Sequence, residues 1–370
     1  MNCLWKFNRT NTSWGKSDDP KEESIMKRKI TAFLAAFGMT VTLAASGALV
    51  HAENPIVQTS FTPDPAPVVF GDELWVFTGC DRNGENDFYK MTGWQCFSTK
   101  DMKNWTDHGR ILEDTSFSWC GENDAWASQC IERNGKYYLY YSGDEGRQKA
   151  IGVAVADSPT GPFHDFGKPI VNKRPEGVKN GQQIDVDVFL DDDGQAYLYW
   201  GNGYMAGAKL NEDMTSIDTT TVTVMTPRGG TLRDYAFREG AYVFKRNGLY
   251  YFLWSVDDTG SPNYHVAYGT SRSPLGPIEV AAQPVILQQR PDENIFGTAH
   301  NSVVQLPGRD EWYVIYHRIN PTFMDRNLGP GFHRQVCIDR MEFNPDGTIR
   351  PVTPTQTGVK PVKVKTKKRK

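Results

Sequence analysis

Cysteine is scarce in this chain, and its few cysteines follow no recognisable pattern. The 370 residues include six cysteines, with no Cys-x-x-Cys pair and no His-rich zinc spacing. Five of them (Cys80, Cys96, Cys120, Cys130 and Cys337) follow the leader described below, and so sparse and odd a set is not typical of a disulfide framework. The sequence therefore argues against a disulfide-stapled domain. It leaves open whether any one pair joins after export.

Charged residues are also few, at 23% of the chain, and the net charge is −3. Both ends of the sequence carry an excess of lysine and arginine, so the body between them is strongly acidic. An acidic body argues against nucleic acid as the natural partner. The 34 glycines, 22 prolines and 12% aromatic residues indicate a turn-rich β protein with enough apolar mass for a large core.

A long apolar run stands near the N-terminus, in "MKRKITAFLAAFGMTVTLAASGALVHA" from Met26. A Lys-Arg-Lys cluster precedes it, and a Val-x-Ala site at Val50 and Ala52 ends it. This pattern predicts a secretory signal peptide over residues 26–52, an upstream extension over 1–25, and a secreted or periplasmic protein without a membrane span. The alternative interpretation is a membrane anchor, because the run approaches the ~20 residues of a spanning helix.

Five segments share one pattern, in which an apolar strand, a turn containing glycine and an aromatic-rich alternating strand follow each other. They begin at Asp64, Trp126, Asp185, Glu239 and His300, for example "DPAPVVFGDELWVFTG" and "EGAYVFKRNGLYYFLWS". A strand repeat of about 60 residues is typical of a propeller. We therefore predict an all-β, single-domain five-bladed β-propeller over residues 53–357, followed by a basic disordered tail at 358–370. A β-sandwich is the alternative, but its strands would not repeat at this spacing.

The first strand of every propeller blade lines the central channel. The five segment starts should therefore converge at one end of that channel as three carboxylates, one aromatic ring and one imidazole. Each residue taken singly has a plain structural interpretation, such as a turn cap or a core side chain, and only their common register favours a functional cavity. Asp187 shares a face with Asp185 but lies deeper, and we expect a structural role for it.

Three acids around a cavity with an aromatic wall suit the hydrolysis of a glycosidic bond. One carboxylate activates water, a second donates a proton to the leaving oxygen, and a third raises the pKa of that donor by repulsion.

The motifs "DPAPVVF", "IDVDVFLDDDG", "REGAYVF" and "TAHNSVV" resemble those of glycoside hydrolase family 43, over about residues 55–355. The resemblance implies a five-bladed propeller and an inverting mechanism on plant polysaccharides that contain arabinose or xylose. It implies that Asp64 is the general base, Glu239 the general acid and Asp185 the pKa modulator. His300 matches a histidine at a central site that holds calcium or water.

The same resemblance implies substrate-binding roles for Trp126, in "DAWASQ", and Arg334, in "FHRQV". A salt-bridged structural role is the alternative for Arg334. The family often has proline at three positions that are occupied here by Val186, Ala241 and Ser128. These differences bear on the substrate preference more than on the mechanism. The absence of an appended β-sandwich favours an α-L-arabinofuranosidase acting on arabinan or arabinoxylan.

Other functions stay open at this point. A β-xylosidase or β-galactosidase-like exo-enzyme would carry the same motifs, and a non-catalytic carbohydrate-binding propeller would share the fold. The related fructan-active retaining enzymes are disfavoured, because their "NDPNG" and "RDP" motifs are missing. We expect a monomer that acts on an oligo- or polysaccharide, needs no cofactor for its chemistry and has, at most, a structural calcium ion.

Overall fold

The computed structural model describes residues 49–51, 53–82, 89–226, 236–322 and 333–364. These residues form five small antiparallel sheets arranged as a five-bladed β-propeller, which confirms the predicted fold. Helix is scarce in the part of the chain that is described: short 3₁₀ helices lie at Asp114–Ser116, Thr219–Thr221 and Pro291–Glu293, and residues 321–322 are α-helical. None of its helices is long and apolar enough to cross a bilayer.

Each blade is built from consecutive strands, as the repeat predicts. Blade 1 contains β1 (Leu49–His51), β2 (Ala66–Phe70), β3 (Glu73–Asp81), β4 (Met91–Thr99) and β5 (Asn104–Glu113). Blade 2 contains β6 (Ser128–Arg133), β7 (Lys136–Asp144), β8 (Lys149–Ala156) and β9 (His164–Asp165). Blade 3 contains β10 (Asp187–Leu190), β11 (Ala196–Trp200), β12 (Ala206–Lys209) and β13 (Thr223–Val224). Blade 4 contains β14 (Glu239–Arg246), β15 (Leu249–Val256), β16 (His265–Ser271) and β17 (Glu279–Leu287), and blade 5 contains β18 (Ala299–Gln305), β19 (Trp312–Arg318) and β20 (Gln335–Met341).

The innermost strand of each blade, which is the first strand of its repeat, belongs to the inner ring. β2, β6, β10, β14 and β18 each contact the first strand of the next blade. Five clusters of buried side chains fill the spaces between neighbouring blades, one for each pair. The aromatic residues of the repeat supply much of this packing, and four tryptophans are among the largest fully buried side chains: Trp94, Trp105, Trp200 and Trp254. Sheet-on-sheet packing therefore fixes the inner ring.

Two segments outside the repeat close the ring between blades 5 and 1. Residues 54–62 run beside β20, where Ile56 N–H donates to Val336 O at 3.0 Å and Thr62 N–H donates to Arg334 O at 2.8 Å. At the other end of the chain, Val364 N–H donates to Lys100 O in blade 1 at 2.9 Å. The seam between these two blades is thus held by hydrogen bonds and apolar contacts.

The predicted disordered tail at 358–370 is wrong for residues 358–364. Val364 is fully buried, and Val359 and Val362 pack against the same apolar cluster. Lysine and proline separate these valines in the sequence, and the valine side chains pack together into one hydrophobic groove. The lysine-rich composition of the tail did not indicate this packing. Residues 365–370 lie outside the described residues.

The predicted leader lies almost wholly outside the described residues. Its segment Leu49–His51 forms β1, which pairs with Asn104–Thr106 of β5 at the outer edge of blade 1. Cleavage after Ala52 stays a prediction, as does the upstream extension over 1–25.

Candidate active site

Three of the residues predicted from the repeat stand at the channel end of their blades in an uncommon backbone conformation. Asp64, Asp185 and His300 have φ angles of 56°, 60° and 45°, in the left-handed region. For a residue with a Cβ atom this region costs about 1–2 kcal/mol. Strain of this kind concentrates at functional sites, where the surrounding structure must hold it in place.

A recurring hydrogen bond holds each of these residues. Its main-chain N–H donates to a side chain at the end of the second strand of the preceding blade. The three bonds are Asp185 N to Ser142 Oγ at 2.9 Å, His300 N to Ser255 Oγ at 3.0 Å and Asp64 N to His317 Nδ1 at 3.2 Å. The repeat therefore supplies both the strained residue and its anchor.

A cavity of about 290 Å³ opens over this end of the channel. Its wall contains all six predicted site residues: Asp64, Trp126, Asp185, Glu239, His300 and Arg334. The volume lies near the lower end of the ~300–1,000 Å³ found for ligand pockets. The convergence predicted from the register is therefore present, with room for a small ligand between the acids.

Asp64 is surrounded by nitrogen atoms. Its Oδ1 lies 2.9 Å from Arg334 Nη1, 3.2 Å from His300 Nδ1 and 3.3 Å from His317 Nδ1. Burial by itself would raise the pKa of Asp64, but the positive charge of Arg334, the largest opposing influence, holds that pKa well below its usual range. Asp64 is thus ionised. Within the described residues only Oδ1 has hydrogen-bond partners, which leaves Oδ2 for a water molecule in the cavity.

Arg334 connects Asp64 to a second buried carboxylate, Asp81. Its Nη2 donates to Asp81 Oδ1 at 2.8 Å and its Nε donates to Asp81 Oδ2 at 3.1 Å, so this pair is bidentate. Asp81 Oδ2 also accepts the main-chain N–H of Arg334 at 3.0 Å. The arginine is 3% exposed. It lines the cavity and is also a salt-bridged residue between blades 5 and 1, so it combines features of both interpretations made from the sequence.

Glu239 has a different environment, in which its partners are neutral. Tyr264 Oη donates to Oε1 at 2.8 Å, and Asn202 Nδ2 donates to Oε2. The nearest cationic atom in the described chain is Arg238 Nε, 3.9 Å from Oε2. Burial outweighs the help of Tyr264 and Arg238 and raises the pKa of Glu239 to about 7. This carboxyl can therefore hold a proton at neutral pH.

Asp185 lies beside Glu239. One of its oxygens, Oδ2, accepts the N–H of Gly240 at 3.3 Å. Gly240 has a φ of 62°, and a Cβ atom there would lie 3.0 Å from Ser255 Oγ, so glycine suits this close approach. Burial raises the pKa of Asp185 strongly, and repulsion by Glu239 and Asp64 raises it further. Two adjacent buried carboxyls resist joint ionisation, so the pair retains a proton.

Trp126 lies in the loop that leads into β6 and forms one wall of the cavity. Its indole Nε1 donates to Tyr89 O at 3.0 Å, which fixes the plane of the ring. Lys149 Nζ lies 3.9 Å from the ring centroid and 2.6 Å from Asp144 Oδ2. The structure therefore places the tryptophan as an aromatic wall, with an ammonium group over one of its faces.

His300 belongs to the one group in the described chain that is compact enough to suggest a metal site. Donor atoms of Asp185, Glu239 and His300 lie within 4.8 Å of one another. Calcium takes about six to eight oxygen ligands, whereas this group offers one imidazole nitrogen and two carboxyl groups. Burial lowers the pKa of His300 to about 4, so its imidazole is neutral. The three side chains do not fit a resident calcium ion.

Asp187 is buried below the site and holds three blades together. Gln129 Nε2 of blade 2 donates to its Oδ1 at 3.2 Å, and the N–H of Val243 in blade 4 donates to its Oδ2 at 2.8 Å. Burial raises the pKa of Asp187 to about 7. These contacts agree with the structural role expected from the sequence.

Several residues of the site were missed by the sequence reasoning. Asp81, Asn202, Tyr264 and His317 come from second strands and from loops, which have no place in the first-strand register. One signal was available, since Ser142, Ser255 and His317 occupy the same position at the end of the aromatic strand in their units. A search for polar residues at that second position would have found the anchors.

The arrangement can perform general acid–base hydrolysis. An ionised carboxylate with one unoccupied oxygen and a carboxyl that holds a proton face one cavity, and both are buried. An inverting glycosidase needs such a pair, with the base activating water and the acid protonating the leaving oxygen. The residues present supply both functions.

Comparison with known proteins gives a consistent result. The sequence model for glycosyl hydrolases family 43 matches residues 52–349. The chain is 33% identical over 330 residues to beta-D-galactofuranosidase xynD of Aspergillus niger, an alignment that covers 86% of this chain and 89% of that protein.

The solved structures that are similar to this chain include two glycosidases. An α-L-arabinofuranosidase, CtGH43 from Clostridium thermocellum, is 37% identical with a TM-score of 0.64, covering 83% of this chain and 98% of its own. CoXyl43, a β-xylosidase/α-arabinofuranosidase from a compost metagenome, is 27% identical with a TM-score of 0.65, covering 82% of this chain and 98% of its own. Its structure is a calcium-free complex with xylotriose.

Proposed function

The chain belongs to glycosyl hydrolase family 43, and on this premise we propose that it is an exported, inverting α-L-arabinofuranosidase. It removes terminal arabinofuranosyl residues from arabinan or arabinoxylan. The observation that carries the proposal is that two buried carboxyls line one cavity of monosaccharide-like size in opposite surroundings, Asp64 against the guanidinium of Arg334 and Glu239 among neutral donors.

Asp64 is the general base. Arg334 keeps it ionised and donates to Oδ1, with the imidazole of His300 close by, so Oδ2 accepts a proton from a water molecule as that water attacks the anomeric carbon. The cluster also fixes the carboxylate, which lowers the entropic cost of positioning the water.

Glu239 is the general acid. It protonates the glycosidic oxygen as the bond to the anomeric carbon breaks, and it is reset by a proton from solvent. Asp185 is the modulator, because its proximity disfavours the ionised form of Glu239. Acid and base are both side chains of the protein, so hydrolysis needs no cofactor, and no step depends on a metal ion.

A furanoside is the preferred substrate class. Two of the relatives, at 33% and 37% identity, are named as a galactofuranosidase and an arabinofuranosidase. β-D-Galactofuranose and α-L-arabinofuranose share the configuration of their five-membered ring and differ in the exocyclic chain. A cavity of about 290 Å³ suits one such ring better than an extended chain.

A panel of four p-nitrophenyl glycosides tests this proposal. Purified protein is assayed on the α-L-arabinofuranoside, β-D-galactofuranoside, β-D-xylopyranoside and β-D-galactopyranoside, with Asp64→Asn as the low-activity control. We expect kcat/KM to be highest on the arabinofuranoside. A higher value on either pyranoside would overturn the assignment, and sugar binding without hydrolysis of any of them would favour a carbohydrate-binding propeller.

The galactofuranoside is the second candidate substrate, because the Aspergillus niger relative carries that name at 33% identity. Its longer exocyclic chain needs additional space in the cavity. A kcat/KM on this substrate above that on the arabinofuranoside would make the protein a β-D-galactofuranosidase of the same mechanism.

The stereochemical outcome is measured separately. Proton NMR during the first minutes of hydrolysis reports which anomer of the free sugar appears first. We expect the β-anomer of arabinose from the α-arabinofuranoside, because water attacks the face opposite the leaving group. Initial release of the α-anomer would contradict the inverting mechanism.

Export is proposed from the leader sequence. N-terminal sequencing of the protein secreted by a bacterial host should give Glu-Asn-Pro, starting at Glu53. A secreted protein that retains residues before Glu53, or a protein that stays inside the cell, would contradict this cleavage.

A further inference from the structure

His317 is a fully buried residue of β19 and lies outside the sequence motifs quoted above. It contacts Asp64 through Nδ1, and its Nε2 lies 3.2 Å from Thr259 Oγ1. Thr259 is itself part of the cavity wall. The imidazole therefore lies between the catalytic base and the surface that faces the ligand.

The propeller repeat shows what is unusual about this position. Ser142 and Ser255 anchor Asp185 and His300 at the corresponding positions, and each does so with one hydroxyl group. In blade 5 the anchor is a histidine, which has a second polar atom on the far side of its ring. A second hydrogen bond, made by Nε2, can thus fix the ring that anchors Asp64. A serine hydroxyl has no second polar atom for such a contact.

The tautomer of His317 follows from the hydrogen bonds of Asp64. The buried main-chain N–H of Asp64 needs an acceptor, and His317 Nδ1 at 3.2 Å is the one found among the described residues. Asp64 Oδ1 already accepts a hydrogen bond from Arg334 Nη1 at 2.9 Å and lies 3.2 Å from His300 Nδ1. Nδ1 of His317 therefore carries the lone pair, and its Nε2–H donates to Thr259 Oγ1.

We propose that His317 is a positioning residue of the general base: Nδ1 holds the strained backbone of Asp64, and Thr259 fixes the imidazole that does so. This inference rests on the function proposed above, in which Asp64 activates water. The left-handed conformation of Asp64 (φ 56°) needs such an anchor, since without it the aspartate relaxes and Oδ2 moves away from the water position.

Two substitutions that replace different ends of the ring test the proposal. In His317→Asn, the amide group stands near the position of Nδ1 and still accepts the N–H of Asp64. In His317→Gln, the amide reaches the position of Nε2 and Thr259 but leaves Asp64 without its anchor. We expect kcat to fall less than tenfold for Asn and about 100-fold for Gln, with KM within threefold in both, because a misplacement of ~1 Å costs about this much.

A merely structural role predicts a different result. If His317 only fills space, the Asn variant creates the larger cavity and should lose at least as much activity as the Gln variant. Equal kcat values, or a lower value for Asn, would overturn the proposal. The melting temperature of each variant is measured, and kcat is determined well below it, so that unfolding does not enter the comparison.

A double-mutant cycle tests the role of Thr259. Thr259→Val removes the partner of Nε2 in the wild-type protein, whereas in the His317→Asn background that contact is already lost. We expect Thr259→Val to lower kcat at least threefold more in the wild type than in the His317→Asn protein. Identical effects in the two backgrounds would show that the hydroxyl does not act through His317.

Asp64→Asn is tested in parallel, because it distinguishes a failure of the positioning role of His317 from a failure of the proposed function. If Asp64→Asn retains activity, Asp64 is not the base and the proposed function fails. If Asp64→Asn is inactive but the His317 variants do not differ from each other, only the positioning role fails. Ser142→Ala, which removes the matching anchor of Asp185, shows what the loss of an anchor costs away from the base.

Discussion

The two sides of the cavity are equally buried and have opposite electrostatics. Asp64, Asp185 and Glu239 are 4%, 5% and 7% exposed, so loss of water acts on all three alike. Yet the pKa of Asp64 lies below its usual range, while the pKa values of Asp185 and Glu239 lie above theirs. Burial therefore does not decide which carboxyl is the base and which is the acid.

The partners decide it. On the side of Asp64, blade 5 contributes Arg334 and two histidines within 3.3 Å of one oxygen. On the side of Glu239, a tyrosine and an asparagine donate neutral hydrogen bonds, and the neighbour Asp185 adds repulsion. Two buried carboxyls that start from almost the same pKa are thus separated widely enough to act as a base and an acid at one pH.

Replacing each catalytic carboxyl in turn should have the largest effect on activity. Asp64→Asn removes the base and should lower kcat about 1,000-fold on every substrate. Glu239→Gln should cost about as much on an arabino-oligosaccharide but much less on a dinitrophenyl arabinofuranoside, whose leaving group needs no proton. Steady-state kinetics of both variants on both substrates provides the measurement.

Asp187→Asn is the matched control, since it changes a buried aspartate of the same channel that we assign to packing. Its kcat should stay within tenfold of the wild type. Activity of Asp64→Asn or Glu239→Gln within tenfold of the wild type on the oligosaccharide would defeat the assignment of acid and base.

Weakening the cationic side should have the next largest effect. Arg334→Lys replaces a bidentate guanidinium with a point charge that cannot serve Asp81 and Asp64 together. The pKa of Asp64 should rise, so the acidic limb of the kcat/KM profile should move to higher pH by about one unit or more. An acidic limb that stays in place while kcat/KM falls uniformly would assign Arg334 to the substrate alone.

Removing Asp185 should bring the pKa values of Asp64 and Glu239 closer together. The base sets the acidic limb of the pH profile, and loss of the proton from Glu239, near pH 7, sets the alkaline limb. Asp185→Asn removes the carboxyl that shares a proton with Glu239, so Glu239 no longer ionises next to a second carboxylate. Its pKa should fall, and the alkaline limb should move to lower pH. An unchanged alkaline limb would argue against the modulator role.

The smallest effect is expected on removing one neutral donor. Tyr264→Phe deletes the hydrogen bond to Glu239 Oε1, which favours the ionised form. The alkaline limb should therefore move to higher pH, by less than about one unit, because a single hydrogen bond contributes about 1 kcal/mol. The opposite direction of the Asp185→Asn and Tyr264→Phe shifts is the sharpest check, and two shifts of the same sign would contradict this description.

Much of this site could be predicted from the sequence, because the propeller repeat converts a register into a location. Asp64, Trp126, Asp185, Glu239 and His300 lie about 60 residues apart in the chain, yet all of them line one cavity. Turn chemistry and strand alternation fixed the register. The position along the chain was enough to state which side chains would meet.

The protonation states could not be predicted in this way. They depend on Asp81, Asn202, Tyr264 and His317, whose distances to the acids follow from how blades pack and not from the repeat. Arg334 shows the difference, since the sequence left open whether it binds sugar or forms a salt bridge. Its pairing with Asp81 requires residues 253 positions apart to meet.

The closure of the ring has a consequence for how the enzyme loses activity on heating. Asp64 belongs to blade 1, whereas the arginine and the two histidines around it belong to blade 5. The chain does not run directly from one of these two blades to the other, so only non-covalent contacts join them at the seam. Asp185 and Glu239 belong to blades that follow each other directly in the chain. Local unfolding at this seam on heating should therefore displace Asp64 while Asp185 and Glu239 keep their positions. The protein should then lose activity at a lower temperature than that of its global unfolding.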